Sequence, residues 1–148
     1  MRPSTPDDLP AFRRFTASEH ARFVGGPCEG YDAWRRFAVH LGHWRIRGCG
    51  MWIVEHREDG GPVGQVSLWN PDGWVAPEVV LDADFEGLGY AREAAVAART
   101  YAFETLGWPA VFSVIHPDNA RSIALARRLG AVEDRDATTP DGQPVIVV

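Results

Sequence analysis

Apolar and polar positions change period several times along the 148 residues, and each change predicts an element. Leu9, Phe12 and Phe15 behind Thr5-Pro6-Asp7-Asp8 predict a first helix opened by capping oxygens and early acids. A glycine-rich link over residues 22–30 leads to a second helix from about residue 31 to 47. There Trp34, Phe37, Leu41 and Trp44, spaced by three and four, predict a core-facing stripe. Residues 51–56 and 62–69 read as two strands separated by Glu58-Asp59-Gly60-Gly61, a hairpin signal. Residues 74–81 predict a further strand ending in Val79-Val80-Leu81. A helix then follows in which Ala91, Ala94, Ala95, Ala98, Ala102 and Leu106 repeat with helical spacing, closed by Gly107 and Pro109. Beyond it, residues 110–115 predict a strand and 119–129 a helix ended by Gly130. Ala131-Val132 predicts the start of another strand, and 136–143 a turn-rich loop. Residues 145–148 predict a terminal strand whose open edge would pair with a neighbour to form a homodimer.

Composition narrows the class. The length suits one domain over residues 1–148, large enough for a core without staples. A net charge of −5 argues against a nucleic-acid surface, which rests on clustered Lys and Arg. No apolar run reaches membrane-spanning length and residues 1–10 lack a signal-peptide core, so a cytoplasmic protein with no membrane partner is expected. Cys28 and Cys49 make no disulfide framework and read as small loop residues. His40 and His43 share a helix face, but no third ligand stands at motif spacing, so no metal is expected.

The candidate chemistry sits between the Val79-Val80-Leu81 strand and the alanine-rich helix. In Glu86-Gly87-Leu88-Gly89-Tyr90-Ala91, two glycines at a strand-to-helix turn let backbone N–H groups converge where the helix dipole is positive, a seat for phosphate or pyrophosphate. One reading is a dinucleotide fold, although Arg92 stands where a third glycine or alanine is wanted. The other is the spacing Gln/Arg-x-x-Gly-x-Gly/Ala, here Glu86-x-x-Gly89-x-Ala91, which resembles the pyrophosphate-binding signature of the GNAT acetyltransferases.

Two longer blocks carry that resemblance. Gly87-Leu88-Gly89-Tyr90-Ala91-Arg92-Glu93-Ala94 followed by Tyr101-Ala102-Phe103-Glu104-Thr105-Leu106-Gly107 resembles the GNAT branch that includes the ribosomal-protein N-terminal acetyltransferases. Val114-Ile115-His116-Pro117-Asp118-Asn119-Ala120-Arg121-Ser122 resembles the family's next strand and its Pro-x-Asn-x-x-Ser helix start. The resemblance covers roughly residues 5–135 and implies an α+β single-domain GNAT fold. In that fold a mixed, mostly antiparallel sheet carries helices on both faces, and a parallel strand pair around Val80 and Val114 splays to hold CoA.

The resemblance further implies acetyl-CoA as co-substrate and a small-molecule amine or peptide N-terminus as acceptor. Val79, Val80, Leu81 and Asp82 would bond the pantetheine arm. Glu86, Gly87, Leu88, Gly89, Tyr90 and Ala91 would form the pyrophosphate turn, with the Glu86 carboxylate turned outward or capping the helix. Asn119 would touch the cofactor, and Arg121, Arg127 or Arg128 the 3′-phosphate. Phe23 and Glu29, on the link between the first two helices, would contact the acceptor, and Trp69 would lie near the site or pack. A primary amine is mostly protonated at neutral pH, so a base must take its proton. Glu78 is the first choice, ahead of Asp82 and His116. A backbone N–H on the 79–81 strand would support the oxyanion, a service worth about 3 kcal/mol in comparable sites. Many GNAT enzymes place a tyrosine acid where this chain has Ala126, which leaves Ser122 to share capping, CoA contact and proton donation. The strand over 74–81 is about two residues shorter than the family pattern and lacks its customary tryptophan, and the first strand is clipped. Those departures keep open a degenerate, non-catalytic acyl-CoA-binding module.

Overall fold

The protein is described by a computed structural model covering residues 1–72, 78–82, 88–134 and 146–147. The chain opens with β1 (Arg2–Pro3), a 3-10 turn (Pro6–Asp8) and α1 (Leu9–Thr16). A second 3-10 turn (Glu19–Phe23) leads to α2 (Gly30–Arg47), then β2 (Met51–Glu55), β3 (Pro62–Trp69) and β4 (Glu78–Asp82). The remaining elements are α3 (Tyr90–Glu104), β5 (Val114–Ile115), α4 (Ala120–Arg128) and β6 (Ile146–Val147).

Strands β1 to β4 form one sheet in that order, every neighbour antiparallel, and β5 pairs antiparallel with β6 in a second. Strand β1 is a two-residue ladder in which Arg2 faces Ile53. It is pinned by the Arg2 guanidinium, which donates to both oxygens of Asp8 (2.7 and 2.8 Å) and to Glu55 Oε1 (2.8 Å). Those hydrogen bonds to Arg2 hold the Asp8 carboxyl below its ordinary range, helped by the Thr5 N–H. In the β2–β3 turn Gly60 N–H donates to His56 O and His56 N–H to Gly61 O, so the hairpin read from Gly60-Gly61 closes as expected.

Strand alternation sends two side-chain sets to opposite faces. Met51 and Ile53 pack with Phe12 and Phe37 beneath α1 and α2. Trp52, Val66, Leu68 and Val79 pack with Ala94, Ala98 and Ala102 of α3. Ala98 and Ala102 are wholly buried, so the alanine repeat is what lets α3 lie close on the sheet.

Three expectations are corrected. Trp34 is half-exposed on the outer side of α2, because Ala33 takes the core position and lets the helix approach the sheet. Residues 131–132 form no strand: Val132 is exposed, and its short apolar pair finds no ladder. The terminal strand, in its described part, pairs with β5 through Ile146 and Val147 opposite Ile115 and Val114, and among the described residues no strand pairs with its other edge. The predicted strand over 110–115 contracts to Val114–Ile115. Among the described residues no helix is long and apolar enough to cross a membrane, and no cluster of three or more His, Cys, Asp or Glu is arranged to hold a metal.

Candidate functional site

The two sheets meet at one place and then part. Val79 N–H donates to Phe112 O at 2.7 Å, and Ser113 Oγ donates to Val79 O at 2.9 Å. Beyond this junction β4 belongs to one sheet and β5 to the other. The two strands expected to neighbour each other therefore lie in different sheets, joined at Val79 to the chain just ahead of β5.

The register of β4 tells where its amides go. Leu68 N–H donates to Gly50 O, so Leu68 faces β2 with its polar groups, and its partner Val79 is a non-hydrogen-bonded pair. Val80, opposite Ser67, therefore spends its N–H on β3. The N–H groups of Val79 and Leu81 point the other way, toward the gap. Phe112 O takes the first.

A cavity of about 390 Å³ lies where the sheets part. Val79 and Val80 line it from β4, Ala95, Arg99 and Phe103 from α3, and Ser122, Leu125 and Ala126 from α4. The chain over 111–116 forms another wall, and Phe23 and Val24 close one side. The lining is chiefly apolar with a few polar groups, as in sites that take an extended organic ligand. Arg99 reaches across to donate from Nη1 to Leu129 O at 2.9 Å, placing a cation at the last carbonyls of α4.

Of the residues expected from the sequence, Val79, Val80, Asn119 and Ser122 come together on this cavity. Asn119 Oδ1 accepts from Ser122 N–H at 3.2 Å and so caps α4, a structural duty beside any ligand contact. Ser122 keeps its hydroxyl half-buried at the wall, and Ala126 is buried beside it. Leu88, Gly89, Tyr90 and Ala91 lead into α3, with Gly89 at φ +83° as its N-cap. A Cβ on Gly89 would meet nothing within 4 Å, so the glycine is required by its dihedral angle and not by packing. The first-turn amides of α3 are the ones a helix leaves without internal partners. Glu86 and Gly87 lie outside the described residues. Glu78 and Asp82 occupy the register positions opposite Trp69 and Gln65, four residues apart at the two ends of β4.

Phe23 takes its place on the cavity, ring to ring with His116 at 5.3 Å and beneath the Arg22 guanidinium at 4.5 Å. Glu29, by contrast, is exposed and precedes α2 without touching the cavity. His116 Nδ1 accepts from Asp118 N–H at 3.1 Å.

The histidine pair of α2, read from the sequence only as sharing a helix face, has a packing role that the sequence did not announce. His43 Nδ1 lies 2.8 Å from Cys49 O, and its Nε2 accepts from Asn70 N–H at 3.1 Å, so the ring bridges the start of β2 to the end of β3. It stacks on Trp69 at 5.0 Å, and His40 meets the same indole at 5.4 Å. Trp69 is thus packed between histidines. His40 Nδ1 is buried without a partner, and desolvation, helped by Arg36 and His43, pulls the ring down to a pKa of about 4. Burial pushes the Cys49 thiol up to about 11.

Comparison with known proteins identifies the architecture. Residues 1–132 match the family described as an acetyltransferase (GNAT) domain. The chain is similar to an acetyltransferase from Agrobacterium tumefaciens str. C58, with 36% identity and a TM-score of 0.89, over 99% of this chain and 86% of that one. It shares its fold with a spermidine N-acetyltransferase from Vibrio cholerae solved with CoA and spermine (18% identity, TM-score 0.76, 99% and 89% covered). It also shares the fold of a ribosomal-protein alanine acetyltransferase from Vibrio fischeri (16% identity, TM-score 0.67, 99% and 88% covered).

Proposed function

Because the chain belongs to the GNAT acetyltransferase family, we propose that it transfers an acetyl group from acetyl-CoA directly to a primary amine, on a peptide N-terminus or a small molecule. The observation that carries this reading is the opening between β4 and β5, where an apolar cavity meets an outward-facing amide of β4. The residues present fit such a co-substrate. Leu88, Gly89, Tyr90 and Ala91, with Glu86 and Gly87, would hold the diphosphate through backbone amides at the start of α3. Val79, Val80, Leu81 and Asp82 would lie along the pantetheine, and Asn119 and Ser122 at the cavity wall would add polar contacts. When bound, acetyl-CoA supplies an acyl group already activated as a thioester.

The work left to the chain is to orient, to move one proton and to exclude water. Glu78 is the proposed base: it sits at the joined end of β4, away from the phosphate turn, whereas Asp82 stands at the end that leads into it. A carboxylate at Glu78 takes the ammonium proton of the acceptor, directly or through water, leaving the nitrogen lone pair free. The Leu81 N–H faces the developing negative charge on the acyl oxygen. A thiolate with a pKa near 8.5 departs tolerably well unaided, so Ser122 is asked for little. A cytoplasmic setting accompanies this reading, Cys28 and Cys49 both being free thiols.

Ala126 at the cavity wall, where a tyrosine acid would be useful, favours a second reading as a binding module that holds acyl-CoA without turnover. One assay separates the two. Protein with acetyl-CoA and a panel of amines and N-terminal peptides should release free thiol in an amine-dependent way, and Glu78→Gln should lower that rate at least about a hundredfold. Calorimetric CoA binding without thiol release on any amine would leave only the module.

A further inference from the structure

The link between α1 and α2 is wound around one guanidinium. Arg36, on α2, donates from Nη2 to Val24 O and from Nη1 to Cys28 Sγ at 3.1 Å, so it grips the link at both ends. Between those points Gly25 stands at φ +98°, and a Cβ there would come within 2.9 Å of Arg36 Nη2 and 3.2 Å of its Cζ. Glycine is thus needed twice over, for the dihedral angle and for the guanidinium lying against it. Cys28 N–H donates to Thr16 O at 2.8 Å, which ties the far end of the link to the buried close of α1. Among the described residues no carboxylate lies within ion-pair distance of Arg36, and its described hydrogen bonds all go to the link. A contact with two prongs uses the planar fork of arginine, which lysine lacks.

What the link carries gives this grip its consequence. Phe23 and Val24 line the cavity and, among its described walls, are the residues that come from ahead of β4. Phe23 meets His116 ring to ring at 5.3 Å, so this wall closes against the chain leaving β5. Val24 N–H donates to Ala21 O at 2.9 Å and Ala21 is wholly buried, which anchors the turn that bears Phe23. Gly25 and Gly26, both at positive φ, are the points about which the wall would swing, and Arg36 bridges the two sides of that pair. We propose that Arg36 is a positioning residue: by holding Val24 and Cys28 together it sets where the Phe23–Val24 wall stands, and through that wall how tightly the cavity takes the amine acceptor. This rests on the acetyl-transfer reading above. There the co-substrate takes β4, the start of α3 and the α4 wall, which leaves the link side to the second substrate.

Three full-length variants test it: Arg36→Met, Gly25→Ala and the two combined. In hydrogen exchange on the protein without ligand, the peptide spanning residues 22–28 should exchange about tenfold faster in Arg36→Met, the weight of one charge-assisted bond, with peptides of α3 unchanged. In thiol-release kinetics KM for the amine should rise about tenfold with kcat held, and KM for acetyl-CoA should stay within about twofold of wild type. Gly25→Ala displaces the guanidinium from the other side, so it should copy both effects, and the double variant should be no worse than either single one. Calorimetric CoA binding at wild-type strength in every variant would report a folded cavity. Unchanged exchange in the link overturns the proposal. So does faster exchange with the amine KM unmoved, a CoA affinity that falls in step, or effects that multiply in the double variant. A wild-type protein that releases no thiol on any amine refutes acetyl transfer, and with it the acceptor half of the proposal, while the exchange arm still decides whether Arg36 fixes the wall.

Discussion

The amide of Leu81 makes an unusually clean perturbation, because proline removes a backbone donor without removing the residue. In most strands that substitution breaks a ladder. Here the Val79 N–H goes to Phe112 O and the Leu68 N–H to Gly50 O, which fixes the alternation along β3 and β4. Leu81, opposite Val66, then contributes no N–H to β3, and proline at that position costs the sheet little. If the amide supports the developing oxyanion, Leu81→Pro should lower kcat by about 10² to 10³, the cost of one such donor. If it only ties down the pantetheine arm, a neutral hydrogen bond worth about 1 kcal/mol is lost, and KM for acetyl-CoA should rise about fivefold with kcat held. Leu81→Ala separates side-chain truncation from the lost donor, and Val80→Pro, which removes a ladder bond to β3, should unfold the edge. Steady-state kinetics by thiol release beside thermal melts would report all three. A folded Leu81→Pro whose kcat and KM both lie within threefold of Leu81→Ala would refute the amide's role.

Three further outcomes follow from the buried polar groups. His40, depressed to about 4 by desolvation, adds stability that is complete above the unfolded value near 6.5 and is lost as pH falls toward 4. Urea unfolding should therefore show His40→Phe gaining on wild type by about 2 kcal/mol between pH 7 and 5, beyond any constant gain from removing the orphaned Nδ1; parallel pH slopes would contradict this. Asn119→Ala should cost about 1 kcal/mol through the lost cap of α4, and Asn119→Ser should recover most of it; an equal loss in both would place the effect elsewhere. Native protein should expose at most one titratable thiol, Cys28, because Cys49 is fully buried with its thiol near 11; two fast thiols would disprove that burial.

Much of this fold was readable because its signals are local. Gly89 before an alanine repeat announces a turn at positive φ and a closely packed helix, and both are present at Gly89 and at Ala94, Ala98 and Ala102. The hairpin at Gly60-Gly61 was equally plain, since turn chemistry acts over a few residues. Trp34 misled because spacings of three and four fit two adjacent arcs of one helix, and only the sheet decides that Ala33 faces inward. The splitting of β4 from β5 depends on which amide finds Phe112, a contact between distant parts of the chain that no periodicity encodes. Likewise the His43 bridge joins Cys49 to Asn70, and nothing near His43 in sequence declares it. Of the candidate site, the glycine turn and Asn119-x-x-Ser122 were legible as motifs, whereas the free direction of the Leu81 amide needed the register.

The junction of the two sheets resembles a zip halted at its last tooth. At Val79 the chain just ahead of β5 is tied to β4 by one N–H donated to Phe112 O and one hydroxyl donated by Ser113. Past that point β4 is laddered to β3 and β5 to β6, so a ligand seated in the mouth leaves both of those ladders whole. Arg99, donating to Leu129 O, ties α3 to the end of α4 across the same cavity.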